Sequence, residues 1–566
     1  MEASSHASEG ITKLMKITSV KSRAIALFST TALLATIVIA APAQAAAVGP
    51  TCDAKTPIQT CVGTTSDGAA YEIRVPSPFN GTVALWSHGL GVSWPVPAGL
   101  LPPFPNGIPV DPRPNVAPFT VVGSTSSALA SSILADGVAV MGSGFSVQGW
   151  NLDEAVKTNV ELIGIFKKAF PATKKVVAWG YSAGGGITQA LAEQYPQLVD
   201  AVAIIDPVAP APAMQKLLMD ALWLFKTFFD PSMKLTGYSA GKAGDLEATA
   251  DIGKMYSILA SVGGSMATGK WPATVGPLGK AIEAQGVPAR SAMLLCALLV
   301  GMPVQSTSYD NINGPEGAQK LAFPLAISPA LASIENFGVA LTSGLSMARE
   351  WDTKFGPNWY DNTKTNFAAQ LSESDRDIYN AALSGNTAID GLLGALNPAN
   401  PAAPRMVGEA SAVAKAAGMY STTGKITVPT IMMTGVNDPV PAASWIQQVS
   451  DKYAVQFAAE KAAASKAYQS TRQYVAPKNK LSVLWLKPPK NWTKFDAAGL
   501  PIAQSYVAGN GHAAFTQKQF KMMIDSAIKA ANTGALPSGG PLTTAARKAG
   551  LVKDKYSAYQ YLKYYN

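Results

Sequence analysis

Charged residues are scarce in this sequence of 566 residues. They make up 14% of the chain, against roughly 25% in an average soluble domain, whereas hydrophobic residues make up 48%. A chain of this length and composition can bury a large core, which excludes intrinsic disorder. The net charge is +9, but no run of five like charges occurs, so nothing in the charge pattern favours nucleic-acid binding.

Cysteine and histidine are also rare, with three of each. Three cysteines exclude a disulfide-dense scaffold. The histidines are His6, His88 and His512, so any mechanism that needs a histidine has very few candidates. Widely separated histidines make no plausible metal-ligand cluster, and no Rossmann or phosphate-loop fingerprint occurs. We therefore expect neither a metal nor a cofactor.

The first 47 residues have the pattern of a secretory signal peptide. Basic residues precede an apolar run over residues 24–41, and residues 42–45 (Pro-Ala-Gln-Ala) supply an A-x-A cleavage site. The run is just long enough to span a bilayer, so an uncleaved anchor is the alternative. The cleavage site favours removal. We expect a secreted or periplasmic protein without a stable membrane anchor, and His6 leaves with the peptide.

Two of the cysteines lie close behind the predicted cleavage site. Cys52 and Cys61 bracket a short segment, and export permits disulfides. We predict that they join to form a small stapled loop. Cys296 lies in an apolar stretch and is predicted to be a buried thiol.

The hydrophobic pattern divides the remaining chain into zones. Residues 48–212 and 422–536 alternate strand-like and helical runs, which predicts a mostly parallel sheet flanked by helices. Residues 213–421 lose that rhythm and form helical stretches, and residues 537–566 are a tyrosine-rich tail. We predict one α/β core interrupted by a large, mainly helical cap. Two independent domains are the alternative, but they leave the last two strands without a sheet.

Strands are expected at residues 71–75, 82–86, 138–141, 175–179, 201–205, 426–434 and 481–486. Helices are expected at residues 153–170, 217–229, 291–300 and 442–472.

The strongest motif is a G-x-S-x-G at residues 180–184. A predicted strand leads into it and a predicted helix follows, which is the context of a nucleophile elbow. The same five residues recur at 237–241, but no buried strand precedes that copy and a poor helix start follows it. We predict that Ser182 is a nucleophile and that Ser239 is not.

A serine hydroxyl needs a general base, most often a histidine. His512 lies in a glycine-containing loop beyond the last predicted strand, and His88 follows an early strand. In the chain order that accompanies a nucleophile elbow the base comes last. His512 is therefore the predicted base.

Four motifs together resemble those of the α/β-hydrolase superfamily: residues 87–91, 180–184, 434–438 and 511–512. The resemblance covers the two core zones and not the cap. It implies an α/β-hydrolase fold whose cap is inserted between the sixth and seventh strands. It also implies that the acid follows the first strand after the cap, which makes Asp438 the predicted acid.

The assignment of the acid leaves two alternatives open. Some members of the superfamily place the acid one strand earlier, where this sequence has Asp206. Residues 437–439 (Asn-Asp-Pro) can also be read as a simple turn. The resemblance further implies an oxyanion hole made by the amides of Leu90 and Ala183, with His88 as a structural residue of its loop.

These observations predict a secreted serine hydrolase of carboxylic esters, of the lipase, esterase or polyester-degrading type. Its substrate would be a small-molecule or polymeric ester. An exported amidase or peptidase with the same triad is one alternative, and a non-catalytic binding protein of the same fold is another. Apolar cap residues either line the substrate site or simply build the core of the cap: Met214, Met219, Trp223, Phe225, Phe228, Phe229, Met293 and Met302. In either case a large mobile cap in an exported hydrolase favours a bulky apolar ester over a small polar one.

Overall fold

The computed structural model describes residues 48–53, 57–101, 104–118, 121–266, 268–310, 324–382, 386–440, 443–497, 501–536 and 540–553. The predicted signal peptide and the tyrosines of the predicted tail, Tyr556–Tyr565, lie outside the described residues. Within the described part of the chain, no helix combines the length and apolar character needed to cross a membrane.

Strands form the centre of the described chain. They are β1 (Val48–Cys52), β2 (Ile58–Thr64), β3 (Ala70–Pro76), β4 (Thr82–Ser87), β5 (Ala139–Ser143), β6 (Lys175–Tyr181), β7 (Ala201–Ile205), β8 (Thr430–Gly435) and β9 (Leu481–Leu486). They make one nine-stranded sheet in the order β1-β2-β3-β5-β4-β6-β7-β8-β9. Six neighbouring strands pair in parallel, in the spatial order β5-β4-β6-β7-β8-β9. At one edge of the sheet, β1 pairs with β2, β2 with β3 and β3 with β5, all antiparallel. Two short strands, β10 (Lys494–Phe495) and β11 (Pro501–Ile502), pair separately.

Helices cover both faces of the sheet. They are α1 (Ser126–Leu134), α2 (Leu152–Ala169), α3 (Ala183–Gln194), α4 (Ala211–Phe228), α5 (Lys242–Gly264), α6 (Pro277–Ala284), α7 (Ala289–Val300), α8 (Pro324–Phe355), α9 (Glu373–Ala382), α10 (Asn386–Ala395), α11 (Ala410–Ala417), α12 (Ala443–Thr471), α13 (Gln517–Thr533) and α14 (Gly540–Lys548). Helices α2 and α3 pack in one hydrophobic core cluster, and α1, α13 and α14 pack in the other. Because both faces are covered, every residue of β4, β5, β7 and β8 is buried, as is typical of parallel strands.

The alternation of strands and helices was predictable from the sequence. The predicted strand at residues 175–179 is β6, and the predicted helix at residues 153–170 is α2. The expected mostly parallel sheet flanked by helices is confirmed. Continuous apolar runs mark the parallel strands because neither face meets water.

The edge of the sheet before β3 differs from the prediction. Cys52 and Cys61 do form a disulfide, but they lie directly opposite each other on the antiparallel strands β1 and β2 rather than in a loop. Two strands therefore precede the first predicted one, and the insertion falls between the seventh and eighth strands of the chain. The predicted position between the sixth and seventh was wrong. β2 is half-exposed, so it lacks the apolar run that revealed the other strands.

The insertion between β7 and β8 contains helices α4 to α11. Its longest helix, α8, packs against α4, α5 and α7. The same helix is tied to the sheet-bearing part of the chain: a Glu350 carboxylate oxygen accepts a hydrogen bond from the Trp150 amide at 2.5 Å, and Lys354 pairs with Glu154 at 2.8 Å. The insertion is thus bound across the carboxyl-end side of the strands, close to Trp150.

Candidate active site

Ser182 lies at a sharp turn between a strand and a helix. β6 ends at Tyr181 and α3 begins at Ala183. Ser182 itself has φ 56° and ψ −129°, a backbone conformation that is costly for a residue with a side chain. The turn is held in place because the Ser182 amide donates to the Ile205 carbonyl at 3.0 Å and the Ser182 carbonyl accepts from Val208 at 2.9 Å. This is the predicted strand–turn–helix geometry.

The turn depends on close backbone approach at two glycines. A methyl group on Gly184 would lie 2.0 Å from the Ser87 carbonyl oxygen, and one on Gly180 would lie 2.4 Å from the Gly184 carbonyl oxygen. Both neighbours are backbone atoms, which cannot rotate aside. The small residues of the motif are therefore a steric requirement of the turn.

We expect Gly184→Ala to lower the free energy of unfolding by about 1–3 kcal/mol or more, because the added methyl overlaps the Ser87 carbonyl. Gly164→Ala is the matched control. Gly164 is exposed within α2, nothing lies within 4 Å of the added methyl, and a gain of about 0.5–1 kcal/mol is expected there. Chemical denaturation of both variants measures the difference. Equal effects at the two positions would contradict the steric argument.

His512 bridges Ser182 and Asp438. Its Nε2 lies 2.7 Å from Ser182 Oγ, and its Nδ1 lies 2.9 Å and 3.1 Å from the two carboxylate oxygens of Asp438. The Val440 amide donates to the Asp438 carboxylate at 2.8 Å. The structure thus brings together all three residues predicted as nucleophile, base and acid, over separations of 74 and 330 positions in the chain.

Two asparagines that the sequence analysis did not single out join the loops of this site. Asn437 donates its side-chain amide to the Asn510 side-chain oxygen at 2.8 Å, and its backbone amide donates to the Gly509 carbonyl at 2.9 Å. Each asparagine lies within two residues of Asp438 or His512. That adjacency was the available signal, but an asparagine in a short loop is equally typical of a plain turn.

Asp206, the alternative acid, lies in the same cluster but does not hydrogen-bond to the His512 ring. One of its carboxylate oxygens accepts from the Gly435 amide at 3.0 Å, and the other accepts from the Ala513 amide at 3.2 Å. The Ala513 amide also donates to Asp438 at 3.2 Å. Asp206 therefore lies beside Asp438, but the Nδ1 atom of His512 faces Asp438 and not Asp206.

Burial is the largest influence on the three titratable groups. It raises the pKa of the Asp438 carboxyl to about 7 and lowers the pKa of the His512 imidazole to about 4. Burial, reinforced by the Asp438 charge, raises the pKa of Asp206 well above its usual range. Each shift disfavours charge, so the imidazole is neutral near pH 7 and can accept a proton from Ser182.

The loop after β4 lies against the nucleophile. A methyl group on Gly89 would be 3.4 Å from Ser182 Cβ, so the backbone that leads to Leu90 passes beside Ser182. Ala183 is the first residue of α3, and its amide has no carbonyl partner within the helix. The His88 ring is buried, with its centroid 4.4 Å from that of Phe145 and its Nδ1 2.7 Å from the Gly89 carbonyl oxygen.

A family model described as "alpha/beta hydrolase fold" matches residues 140–231, which run from β5 through Ser182 and Asp206 into the insertion. The chain has the alpha/beta hydrolase fold. No curated protein compared with the sequence matches it.

Solved structures similar to this alpha/beta hydrolase-fold chain include three fungal enzymes. An esterase from Aspergillus oryzae has 12% identity and a TM-score of 0.37, with 85% of this chain and 81% of that chain covered. Feruloyl esterase B from Aspergillus oryzae has 13% identity and a TM-score of 0.34, with the same two coverages. Tannin acyl hydrolase from Aspergillus niger has 11% identity and a TM-score of 0.34, with 87% and 83% covered. Similarity this low transfers no substrate to this chain.

A cavity of about 220 Å³ lies over Ser182 in this alpha/beta hydrolase-fold chain. It reaches His512 on one side and α8 on the other, where Thr342, Ser346 and Met347 line it. Its remaining walls are largely apolar and include Leu90, Val92, Trp150, Val208 and Val440. The cavity is smaller than the roughly 300–1,000 Å³ of ordinary ligand pockets.

The eight apolar cap residues considered in the sequence analysis are all buried, and none of them lines this cavity. They pack in the core of the insertion, as the second of the two interpretations predicted. These side chains therefore give no support to a bulky apolar ester, an expectation that then rests on the large insertion alone.

In the described part of the chain, Ser239 makes its hydrogen bonds to a glutamate and not to a histidine. It is exposed, and both its hydroxyl and its amide are hydrogen-bonded to Glu247, at 2.9 Å and 2.7 Å. The expected poor helix start after it was wrong, because α5 begins at Lys242 directly after Gly241, which has φ 60°. What the second motif lacks is the preceding buried strand and the partner histidine.

Asp206, Asp438 and His512 are also the one group of described residues whose possible metal-ligating atoms all lie within 4.8 Å of one another. Backbone amides of Gly435, Val440 and Ala513 donate into the two carboxylates. A cation would have to compete with those amide hydrogens for the same lone pairs. We therefore interpret the cluster as a hydrogen-bonded one and assign no metal or cofactor to it.

Proposed function

We propose that this protein is a serine hydrolase that cleaves carboxylic esters through a covalent acyl-enzyme. The observation that carries the proposal is the contact of 2.7 Å between Ser182 Oγ and His512 Nε2, with Asp438 2.9 Å from the other ring nitrogen. A nucleophile, a base within hydrogen-bond reach of it and an acid that orients the base are the parts that acyl transfer requires.

In the proposed reaction the neutral His512 ring takes the Ser182 proton as Oγ attacks the ester carbonyl carbon. Asp438 keeps the proton of the ring on Nδ1 and stabilises the imidazolium that forms. The amides of Leu90 and Ala183 would donate to the carbonyl oxygen as its negative charge develops. His512 then returns the proton to the departing alcohol, and a water molecule repeats the sequence to release the acid.

The small cavity favours an ester with a compact acyl group. Its volume of about 220 Å³ lies below the roughly 300–1,000 Å³ of ordinary ligand pockets. That volume accommodates a short acyl chain with the atoms around the scissile bond. A longer chain would require the insertion to move away from Ser182, or would have to leave the cavity.

We expect p-nitrophenyl esters with acyl chains of about two to four carbons to be cleaved fastest, and the rate to fall for chains of about eight or more. Matched anilides should be cleaved far more slowly, because the anilide nitrogen must be protonated before it leaves. Initial rates across both series measure the preference. Equal rates for the anilides would favour an amidase or peptidase, and no turnover of either series would favour a binding protein.

Met347→Ala and Met293→Ala separate the effect of the cavity from that of a weakened insertion. Met347 lines the cavity, whereas Met293 is buried in α7 away from it. Met347→Ala should shift the preferred acyl chain towards longer esters. Met293→Ala should lower stability and leave the chain-length preference unchanged.

We also propose that the protein is exported after removal of residues 1–45, by cleavage behind the A-x-A site. The disulfide between Cys52 and Cys61 supports this proposal, because such bonds persist in oxidising compartments. Sequencing the amino terminus of the protein recovered from the culture medium or periplasm tests it.

A further inference from the structure

Two carboxyl groups meet below His512. Asp206 follows β7 and Asp438 follows β8, and these neighbouring parallel strands end at the same edge of the sheet. The carboxyls share one donor, the Ala513 amide, at 3.2 Å from each. Asp206 is fully buried and Asp438 is 1% exposed. A serine–histidine–acid arrangement requires one carboxylate, so the second needs its own explanation.

Two adjacent carboxylates cannot both be ionised in such a place without a large cost. Among the described residues, the titratable groups that face Asp206 are Asp438 and His512. The other groups that hydrogen-bond to its side chain are neutral: the Gly435 amide, the Ala513 amide and the Thr434 hydroxyl. While the imidazole is neutral, no cation compensates a second negative charge, so the pair must hold a proton.

The contacts decide which carboxyl holds that proton. Asp438 accepts from the Val440 amide, from the Ala513 amide and from the ring nitrogen of His512. Three donors stabilise an ionised carboxylate there. Asp206 accepts from the Gly435 and Ala513 amides and from the Thr434 hydroxyl, but unlike Asp438 it makes no hydrogen bond to the His512 ring. Burial and the charge of Asp438 both raise the pKa of Asp206 well above its usual range.

We propose that Asp206 is a positioning residue that stays protonated at neutral pH and donates its proton in a hydrogen bond to Asp438. This inference rests on the proposed function, since it assigns Asp438 as the acid that serves His512. Asp438 then carries the negative charge of the pair alone, and Asp206 fixes the direction in which that carboxylate faces the ring. Asp206 is itself held in place, because its amide donates to the Met433 carbonyl at 2.9 Å.

This arrangement has a consequence for the pH dependence of the reaction. The hydrogen bond from Asp206 lowers the pKa of Asp438 and so opposes the effect of burial. If the donor is removed, Asp438 takes up a proton at higher pH and no longer orients His512 as an anion. The acid limb of the kcat/KM profile should then move to higher pH.

Asp206→Asn and Asp206→Ala test the proposal. Asparagine keeps a donor towards Asp438, so we expect kcat within about threefold of the wild type and an unchanged acid limb. Alanine removes the donor, so we expect a loss of about ten- to a hundredfold in kcat/KM and an acid limb at higher pH. The proposal is overturned if Asp206→Asn loses as much as Asp438→Asn, about 10⁴-fold. It is also overturned if Asp206→Ala changes neither rate nor profile.

A second measurement does not depend on turnover. Infrared difference spectra of wild type and Asp206→Asn at pH 7 should contain a protonated carboxylic acid band in the wild type that the variant lacks. Absence of that difference overturns the proposal, even if the enzyme is active. If no ester is cleaved but the band is present, the proposed function fails and the proton assignment stands. Circular dichroism of both variants identifies any loss of folding.

Discussion

Ser182→Ala should abolish ester hydrolysis, with a loss in kcat of about 10⁶-fold. The alanine lacks the oxygen that His512 contacts at 2.7 Å, so neither proton transfer nor an acyl-enzyme is possible. The cavity and the proposed oxyanion amides remain, and they account for any residual rate. Initial rates on a short-chain p-nitrophenyl ester, compared with the uncatalysed rate, measure the effect.

Ser239→Ala is the matched control because Ser239 has the same four motif neighbours in the sequence. Its hydroxyl is bound to Glu247 on an exposed surface, so activity should stay within about twofold of the wild type. A fluorophosphonate probe should label the wild type and Ser239→Ala, and it should not label Ser182→Ala. Loss of turnover in Ser239→Ala with turnover retained in Ser182→Ala would reverse the assignment of the nucleophile.

His512→Ala should lower kcat about as far as Ser182→Ala, by roughly 10⁶-fold. In the described structure His512 is the histidine in contact with Ser182, and without it no base accepts the serine proton. The only other histidine in residues 48–566 is His88, whose ring packs against Phe145. Single-turnover measurements of acyl-enzyme formation would locate the defect in the attack step.

The double variant Ser182→Ala, His512→Ala provides the check on this prediction. Residues that act as one unit give losses that do not add, so the double variant should be no slower than either single variant. Additive losses would mean that the two side chains act separately. Retention of more than about one hundredth of the activity by His512→Ala would mean that another group serves as base.

The core of the fold could be predicted because its signals are local. β4, β6 and β7 are continuous apolar runs, and α2 carries its polar residues on one side. The hairpin of β1 and β2 was missed because it lacks such a local apolar signal. Its strands lie at the edge of the sheet and are half-exposed, so their pattern resembles that of a loop.

The candidate site was predictable where residue type and chain order are restrictive. Ser182 stands in a glycine-bounded motif between a strand and a helix, and one histidine comes late enough in the chain to follow it. Residue type and chain order did not separate Asp206 from Asp438. Both follow apolar strands, and only the three-dimensional contacts show that His512 Nδ1 faces Asp438.

The sequence by itself therefore determined the alternation of strands and helices, the existence of a large insertion and a short list of reactive residues. Those properties depend on neighbours within a few positions or on order along the chain. Only the tertiary structure decided that the apolar residues of the insertion pack inward, that the cavity over Ser182 is about 220 Å³ and that two carboxyls meet below one imidazole. Each of these depends on contacts between residues that are distant in the chain, by as many as 330 positions for Ser182 and His512, which no local pattern encodes.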